Sequence, residues 1–262
     1  PPPPPPPPPF FRSRRPPSPT LEWNRRQRQM CIRDRAKPPS RSASSTEVAA
    51  FLQKSKAISQ FVEKQPRLLF AIDATASRQP TWDSASHLQQ EMFRATGKVG
   101  RLAVQLCYYR GFNEFSASRW LTDSEALAAL MGRVLCEGGH TQIARLLRHA
   151  LQEHRKSPVR ALVFIGDAVE ESPDTLSDLA GQCGLLGLPL FLFHEGSHPL
   201  VSGTFRNMAK VSGGAYAHFD ANSAHRLAEL LGAVASFAAG GRAALEKQGG
   251  DSAKLLLQQL KQ

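Results

Sequence analysis

Apolar positions change their spacing twice along the chain. Val48, Phe51, Leu52, Ile58, Phe61 and Val62 recur at helical intervals after Ser44 and Glu47, which form a capping box, and Pro66 closes the pattern. From Arg67 onward short apolar runs alternate with amphipathic stretches. Leu68 to Ile72, Leu102 to Tyr109, Ala161 to Ile165, Leu188 to Phe193 and Ala215 to Phe219 read as strands. The first, third and fourth are apolar at nearly every position, which predicts central strands covered on both faces. Arg110-Gly111 starts a hairpin into Glu114 to Leu121, a short antiparallel edge strand. Helices are expected at Ser84 to Thr96, Ser124 to Cys136, Thr141 to His154, Asp174 to Leu186, Val201 to Val211 and Ala224 to Ala239. Alternation of this kind specifies an α/β fold: a doubly wound, mostly parallel six-stranded sheet with helices on both faces.

That domain is expected over residues 67–240, preceded by a linker and amphipathic helix at 36–66. After it, 241–262 form a helical tail, set off by Gly240-Gly241 and Gly249-Gly250 and carrying Leu255, Leu256, Leu257 and Leu260, that docks on its own domain or on a partner, the former being expected. Residues 1–35 have another character. Nine prolines lead into an Arg-rich stretch with too few aliphatic side chains to offset its ordering entropy, so it is expected to be disordered. Within it Met30-Cys31-Ile32-Arg33-Asp34-Arg35 looks like a translated sequencing adapter, and the segment is read as an assembly artefact.

Charge changes less than it first suggests. The chain carries 33 Lys and Arg against 22 Asp and Glu, but residues 1–35 hold eight Arg and two acids, leaving 25 against 20 for the rest. This excess argues against a nucleic-acid or membrane partner. Four cysteines without paired spacing suggest neither a disulfide framework nor a zinc ribbon, and reduced thiols fit a cytoplasmic protein. No apolar run reaches the roughly 18 residues of a membrane span, and the start lacks a secretory h-region.

The chemistry gathers at strand ends. Leu68 to Ile72 runs into Asp73-Ala74-Thr75-Ala76-Ser77, putting a carboxylate and two hydroxyls at alternate positions beyond a buried strand, where open α/β sheets bind ligands. Ala161 to Ile165 passes through Gly166 into Asp167. Gly138-Gly139-His140-Thr141 directly precedes an amphipathic helix. Taken singly, Asp73, Thr75 or Thr141 serves as well for a helix cap. In combination the three segments resemble the von Willebrand factor A (VWA) domain and its metal-ion-dependent adhesion site, over about residues 67–240.

The resemblance implies a divalent ion, Mg²⁺ or Mn²⁺ before Ca²⁺, at the carboxyl edge of the sheet. Thr75 and Ser77 would coordinate through hydroxyls, Thr141 directly or on ligand binding, and Asp73 and Asp167 would hold the metal's waters. It also implies a non-enzymatic protein-interaction module, an intracellular scaffold or adaptor, whose partner supplies a Glu or Asp carboxylate to the ion. Two residues depart from the family pattern: Thr75 stands where Ser is general, and Arg78 follows where a small or apolar residue is common, a change expected to tune or weaken cation binding.

Other motifs point to catalysis less well. His194-Glu195-Gly196-Ser197-His198 matches H-E-x-x-H, yet it follows a strand, contains glycine and ends at Pro199, so the helix that makes the two imidazoles converge is not expected. Ala95-Thr96-Gly97-Lys98 lacks the remaining residues of a phosphate loop. The stronger rival is a metal-dependent phosphatase with Asp73 as nucleophile on the same sheet edge, although such enzymes generally want a second carboxylate where this chain has Thr75.

Overall fold

Leu68 to Asp73 become a strand for the reason their sequence gives: every side chain of β1 (Arg67–Asp73) is buried, with helices on both sides. The computed structural model describes residues 48, 52–53, 65–78, 102–219 and 224–260. Contacts divide the chain into two units, Pro1–Gln53 and Lys54–Gln262. In the first, Val48, Leu52 and Gln53 are helical and exposed. Most of the expected helix over 44–65, the tail 1–35 and the helix Ser84 to Thr96 lie outside the described residues.

The second unit is built on six strands: β1, β2 (Ala103–Arg110), β3 (Glu114–Ala117), β4 (Val159–Gly166), β5 (Leu190–Glu195) and β6 (Ala215–Phe219). Their order is β3-β2-β1-β4-β5-β6; β3 runs antiparallel to β2 and all other pairs are parallel. The edge strand is shorter than the sequence suggested. It ends at Ala117, and Leu121 rejoins the sheet only through an isolated bridge to Val104. Between them the hydroxyl of Ser118 receives the Leu106 N–H at 3.0 Å, so a side chain replaces the next ladder bond.

Strand alternation divides the core in two. Phe70, Ile72, Val163, Ile165, Phe191 and Phe193 face α1 (Ser124–Met131), α5 (Ala224–Gln248) and α6 (Asp251–Gln259). Their neighbours Leu69, Ala71, Leu162, Phe164 and Leu192 face α2 (Ile143–Lys156), α3 (Pro173–Leu185) and α4 (Pro199–Ser212). Helix α1 stops at Met131 rather than Cys136, because Gly132 caps it and Arg133 and Val134 continue as tight turns. Helix α5 kinks at Gly240 and Gly241, the latter at φ +68°, as the glycine pair foretold. The Leu256 side chain of α6 is fully buried, which packs the tail on this unit.

Thiols and imidazoles fit this packing. Cys107 and Cys183 are buried and unpaired, and burial pushes the Cys183 thiol up to about 12. His149 on α2 bonds Gln105 of β2 at 2.8 Å, and burial holds its imidazole below the ordinary value against the attraction of Glu153. The unfolded chain then binds that proton more tightly than the folded one, so acid destabilises through this group. Stability is lost as pH falls through the ordinary imidazole value, and the loss levels off below the folded value. Urea midpoints at pH 7 and 5.5 are expected to fall further for the wild type than for His149→Gln; equal falls would contradict the assignment.

Candidate metal centre

The winding of the chain changes side around β1. The connection from β1 leads to β2 on one side, while β4 lies on the other, so the loops leaving β1 and β4 open a crevice at the carboxyl edge. Asp73 and Asp167 stand at its two walls. Gly166 makes this approach possible: a Cβ there would lie 2.7 Å from the Phe164 ring and 3.5 Å from the Asp73 Cβ. A third wall comes from 137–141. Glu137 N–H donates to the Ala74 carbonyl at 3.0 Å, and Thr75 and Glu137 form a parallel bridge. Gly139 sits so close to Gly111 that a Cβ would fall 1.7 Å from its carbonyl oxygen, which requires glycine there.

Asp73 is wholly buried and tightly oriented. Its Oδ1 accepts the Thr75 N–H at 2.8 Å and its Oδ2 accepts the Tyr109 hydroxyl at 2.9 Å. Burial raises its pKa above the usual carboxylate value, the hydrogen bonds from Thr75 and the charge of Arg78 oppose that rise, and the nearby charge of Asp167 adds to it. The hydroxyls of Thr75 and Ser77 lie 3.1 Å apart, with Thr75 buried and Ser77 exposed. Asp167 is half-buried, and its Oδ1 is buried without a hydrogen-bond partner among the described residues.

Thr141 is engaged elsewhere. Its hydroxyl donates to Glu171 Oε2 at 2.6 Å and accepts the Glu170 N–H at 3.0 Å, while its own N–H donates to Glu170 Oε2 at 2.8 Å. Glu171 Oε1 accepts the Ala144 N–H at 2.9 Å, so the first turn of α2 is capped by an acid from another loop rather than by Thr141. The helix accordingly begins at Ile143, two residues after the position the sequence suggested.

Arg78 is the larger surprise. Its side chain is fully buried, pairs with Glu195 Oε2 through Nη2 at 2.7 Å and Nε at 2.8 Å, and donates from Nη1 to the Asp73 carbonyl at 2.8 Å. The loop after β1 is thereby tied across β4 to the end of β5. Sequence reasoning noticed Arg78 as a departure but missed its partner Glu195, the Tyr109 hydroxyl on Asp73, and Glu170 and Glu171 on Thr141. The only signal for Glu195 lay inside the H-E-x-x-H pattern. Structurally that pattern dissolves: His194 and Glu195 end β5, Gly196 has φ +102°, and His198 caps α4. His194 is buried against Ser202 and Tyr216 whereas His198 is exposed.

A cation fits this crevice on three counts. Octahedral Mg²⁺ holds oxygens at roughly 2.0–2.1 Å, which sets neighbouring ligands about 2.9 Å apart, close to the Thr75–Ser77 separation. A raised carboxylate beside a second carboxylate, and a partnerless buried oxygen on that second one, are both relieved by positive charge. Among the described residues no three His, Cys, Asp or Glu side chains cluster to hold a metal, so an ion here depends on hydroxyl oxygens.

Comparison of the fold identifies its class. No family sequence model and no curated protein matches the chain. Solved structures do match: the VWA domain of SpRpn10 at 10% identity, covering 62% of this chain and 95% of that one, with a TM-score of 0.50. Proximal thread matrix protein 1 from the mussel byssus, with a zinc-occupied MIDAS motif, matches at 13% identity over 65% of this chain and 46% of that one, TM-score 0.54. An aerotolerance-related membrane protein from Bacteroides fragilis matches at 17% identity over 63% and 98%, TM-score 0.50. The chain therefore has a VWA fold. Among the described residues no helix is long and apolar enough to cross a membrane.

Tyr109→Phe leaves the buried Asp73 Oδ2 without its donor, and is expected to cost about 1–3 kcal/mol in urea unfolding. An unchanged midpoint would mean that this bond does not orient Asp73.

Proposed function

We propose that the chain is a divalent-cation-dependent protein-interaction module whose partner contributes a Glu or Asp carboxylate. The observation that carries this reading is the pair of hydroxyls on Thr75 and Ser77, 3.1 Å apart, beside a buried Asp73 and within electrostatic reach of Asp167. Thr75 and Ser77 would hold the ion, with Asp73 and Asp167 positioned by their loops to hold its waters, and Thr141 joining from the third loop. Bound there, Mg²⁺ or Mn²⁺ would supply a positively charged coordination position open to an incoming carboxylate, since neutral hydroxyls leave much of its charge unneutralised.

The chain's own residues set the terms. Tyr109 and the Thr75 N–H hold the Asp73 carboxylate in one orientation, so little ordering is left to be done on binding. The Thr141 hydroxyl can keep donating its proton to Glu171 while it ligates, so the group that competes with an ion for its lone pairs is the Glu170 N–H. The buried Arg78–Glu195 pair keeps a cation next to Asp73, and that charge weakens attraction for a second one. Zinc in the MIDAS motif of the mussel protein supports divalent-metal binding on this fold.

The phosphatase alternative is less well supported. Asp73 is buried with both carboxylate oxygens engaged, a poor state for an attacking nucleophile, and no second carboxylate stands at position 75. We therefore read the module as non-enzymatic. Its buried, unpaired thiols Cys107 and Cys183 fit a reducing compartment, and we assign it to the cytoplasm as a scaffold or adaptor. The interaction module is taken as residues 67–240, with 241–262 as its helical tail.

Titration of the full chain with Mn²⁺, read by electron paramagnetic resonance, tests this. Saturable binding to the wild type, abolished in Asp73→Ala and reduced at least tenfold in Thr75→Val, is expected, tenfold being about 1.4 kcal/mol of lost ligation. Equal binding by all three proteins, or none by the wild type, would overturn the proposal.

A further inference from the structure

A second surface lies at the far edge of the sheet. Strand β6 ends the strand order, and an exposed edge presents unpaired N–H and C=O groups to any extended chain. Here one position is already taken. The Gln259 carboxamide accepts the Tyr216 N–H through Oε1 and donates to the Tyr216 carbonyl through Nε2, both at 2.8 Å. A carboxamide carries the same donor and acceptor as a peptide unit, so α6 lends the edge one residue's worth of a seventh strand.

Alternation along β6 determines what comes next. Tyr216 faces outward and Phe219 faces β5, where its carbonyl accepts the Gly196 N–H at 2.9 Å, so His218 is the next residue to face outward. Its side chain is exposed, and among the described residues no strand or backbone group pairs with its main chain on that side. A groove of about 450 Å³ runs beside these two residues. Arg206, Lys210 and Arg226 line it, and no acid does among the described residues. Arg206 lies over the Tyr216 ring at 4.9 Å, which fixes one of these charges at the groove.

Main-chain groups without partners next to several cations define their complement: an extended backbone carrying acidic side chains. We propose that this groove binds an extended acidic segment of a partner protein, which pairs with His218 and displaces Gln259 from Tyr216. Backbone pairing gives the affinity, and the three cations select the charge. The Gln259 carboxamide, held until then, keeps the edge from pairing with unrelated strands. This surface does not depend on the metal reading, because none of its residues belongs to the crevice at β1 and β4.

The test uses the full chain in EDTA, so that an acidic ligand cannot act through a metal. The probe is an acetylated, amidated peptide of alternating Glu and Val, with a second version N-methylated along one edge and a third with Lys for Glu. Hydrogen exchange at the His218 amide is expected to slow several-fold with the Glu-Val peptide, but with neither the Lys version nor the N-methylated one. Gln259→Ala should tighten binding severalfold, and Lys210→Glu with Arg226→Glu should abolish it while leaving the urea midpoint near that of the wild type. Unchanged exchange at His218, equal binding of the N-methylated peptide, or an affinity unaffected by Gln259→Ala would overturn the proposal. Should the doubly charge-reversed protein unfold, the Gln259→Ala comparison still decides it.

Discussion

Two carboxylates approach each other at the point where the winding of the strand order reverses, and only one of them has both oxygens hydrogen-bonded. Asp73 is buried and accepts hydrogen bonds from Thr75 and Tyr109, whereas Asp167 keeps a buried oxygen with no partner. Burial and like charge both resist ionisation at Asp73. Such an arrangement is costly in a protein that uses it for nothing, and its simplest relief is a cation. Glycine at 166 allows the close approach of β4, glycine at 139 that of the third loop, and two hydroxyls stand at a spacing that neighbouring ligands of an ion would have.

A fixed internal cation already shares this neighbourhood. Arg78 and Glu195 form a buried ion pair that braces the loop after β1 against the end of β5. Removing one partner alone would leave a buried charge uncompensated, which is more damaging than loss of the pair. The same guanidinium bonds the Asp73 carbonyl, so the loop that presents the hydroxyls owes its course to a charge that also opposes a metal. Rigidity of the cradle and the strength of the proposed cation site would therefore be coupled through one residue.

Much of this was legible in the sequence because its signals are local. Apolar runs such as Leu68 to Ile72 and Ala161 to Ile165 fixed the central strands, and the acids that follow them fall at the carboxyl edge of the sheet. The glycine pair at 240 and 241 announced its kink for the same reason. What stayed hidden was pairing between distant positions. Nothing in the chain near Arg78 points to Glu195, and nothing near Thr141 points to Glu170 and Glu171, since these contacts exist only once separate loops converge on one edge. The early stop of α1 and the short β3 were missed on another ground. Gly132 and the Ser118 hydroxyl each supply a local alternative to the regular backbone bond, and that alternative prevails over the apolar pattern.

Crystals of the full chain grown with Mn²⁺ and read by anomalous diffraction test the central claim most directly. The account predicts one strong peak in the crevice between the loops of β1 and β4, within bonding distance of the Thr75 and Ser77 oxygens. A map without a peak there at saturating Mn²⁺, with Asp167 bonded instead to a protein donor, would contradict it.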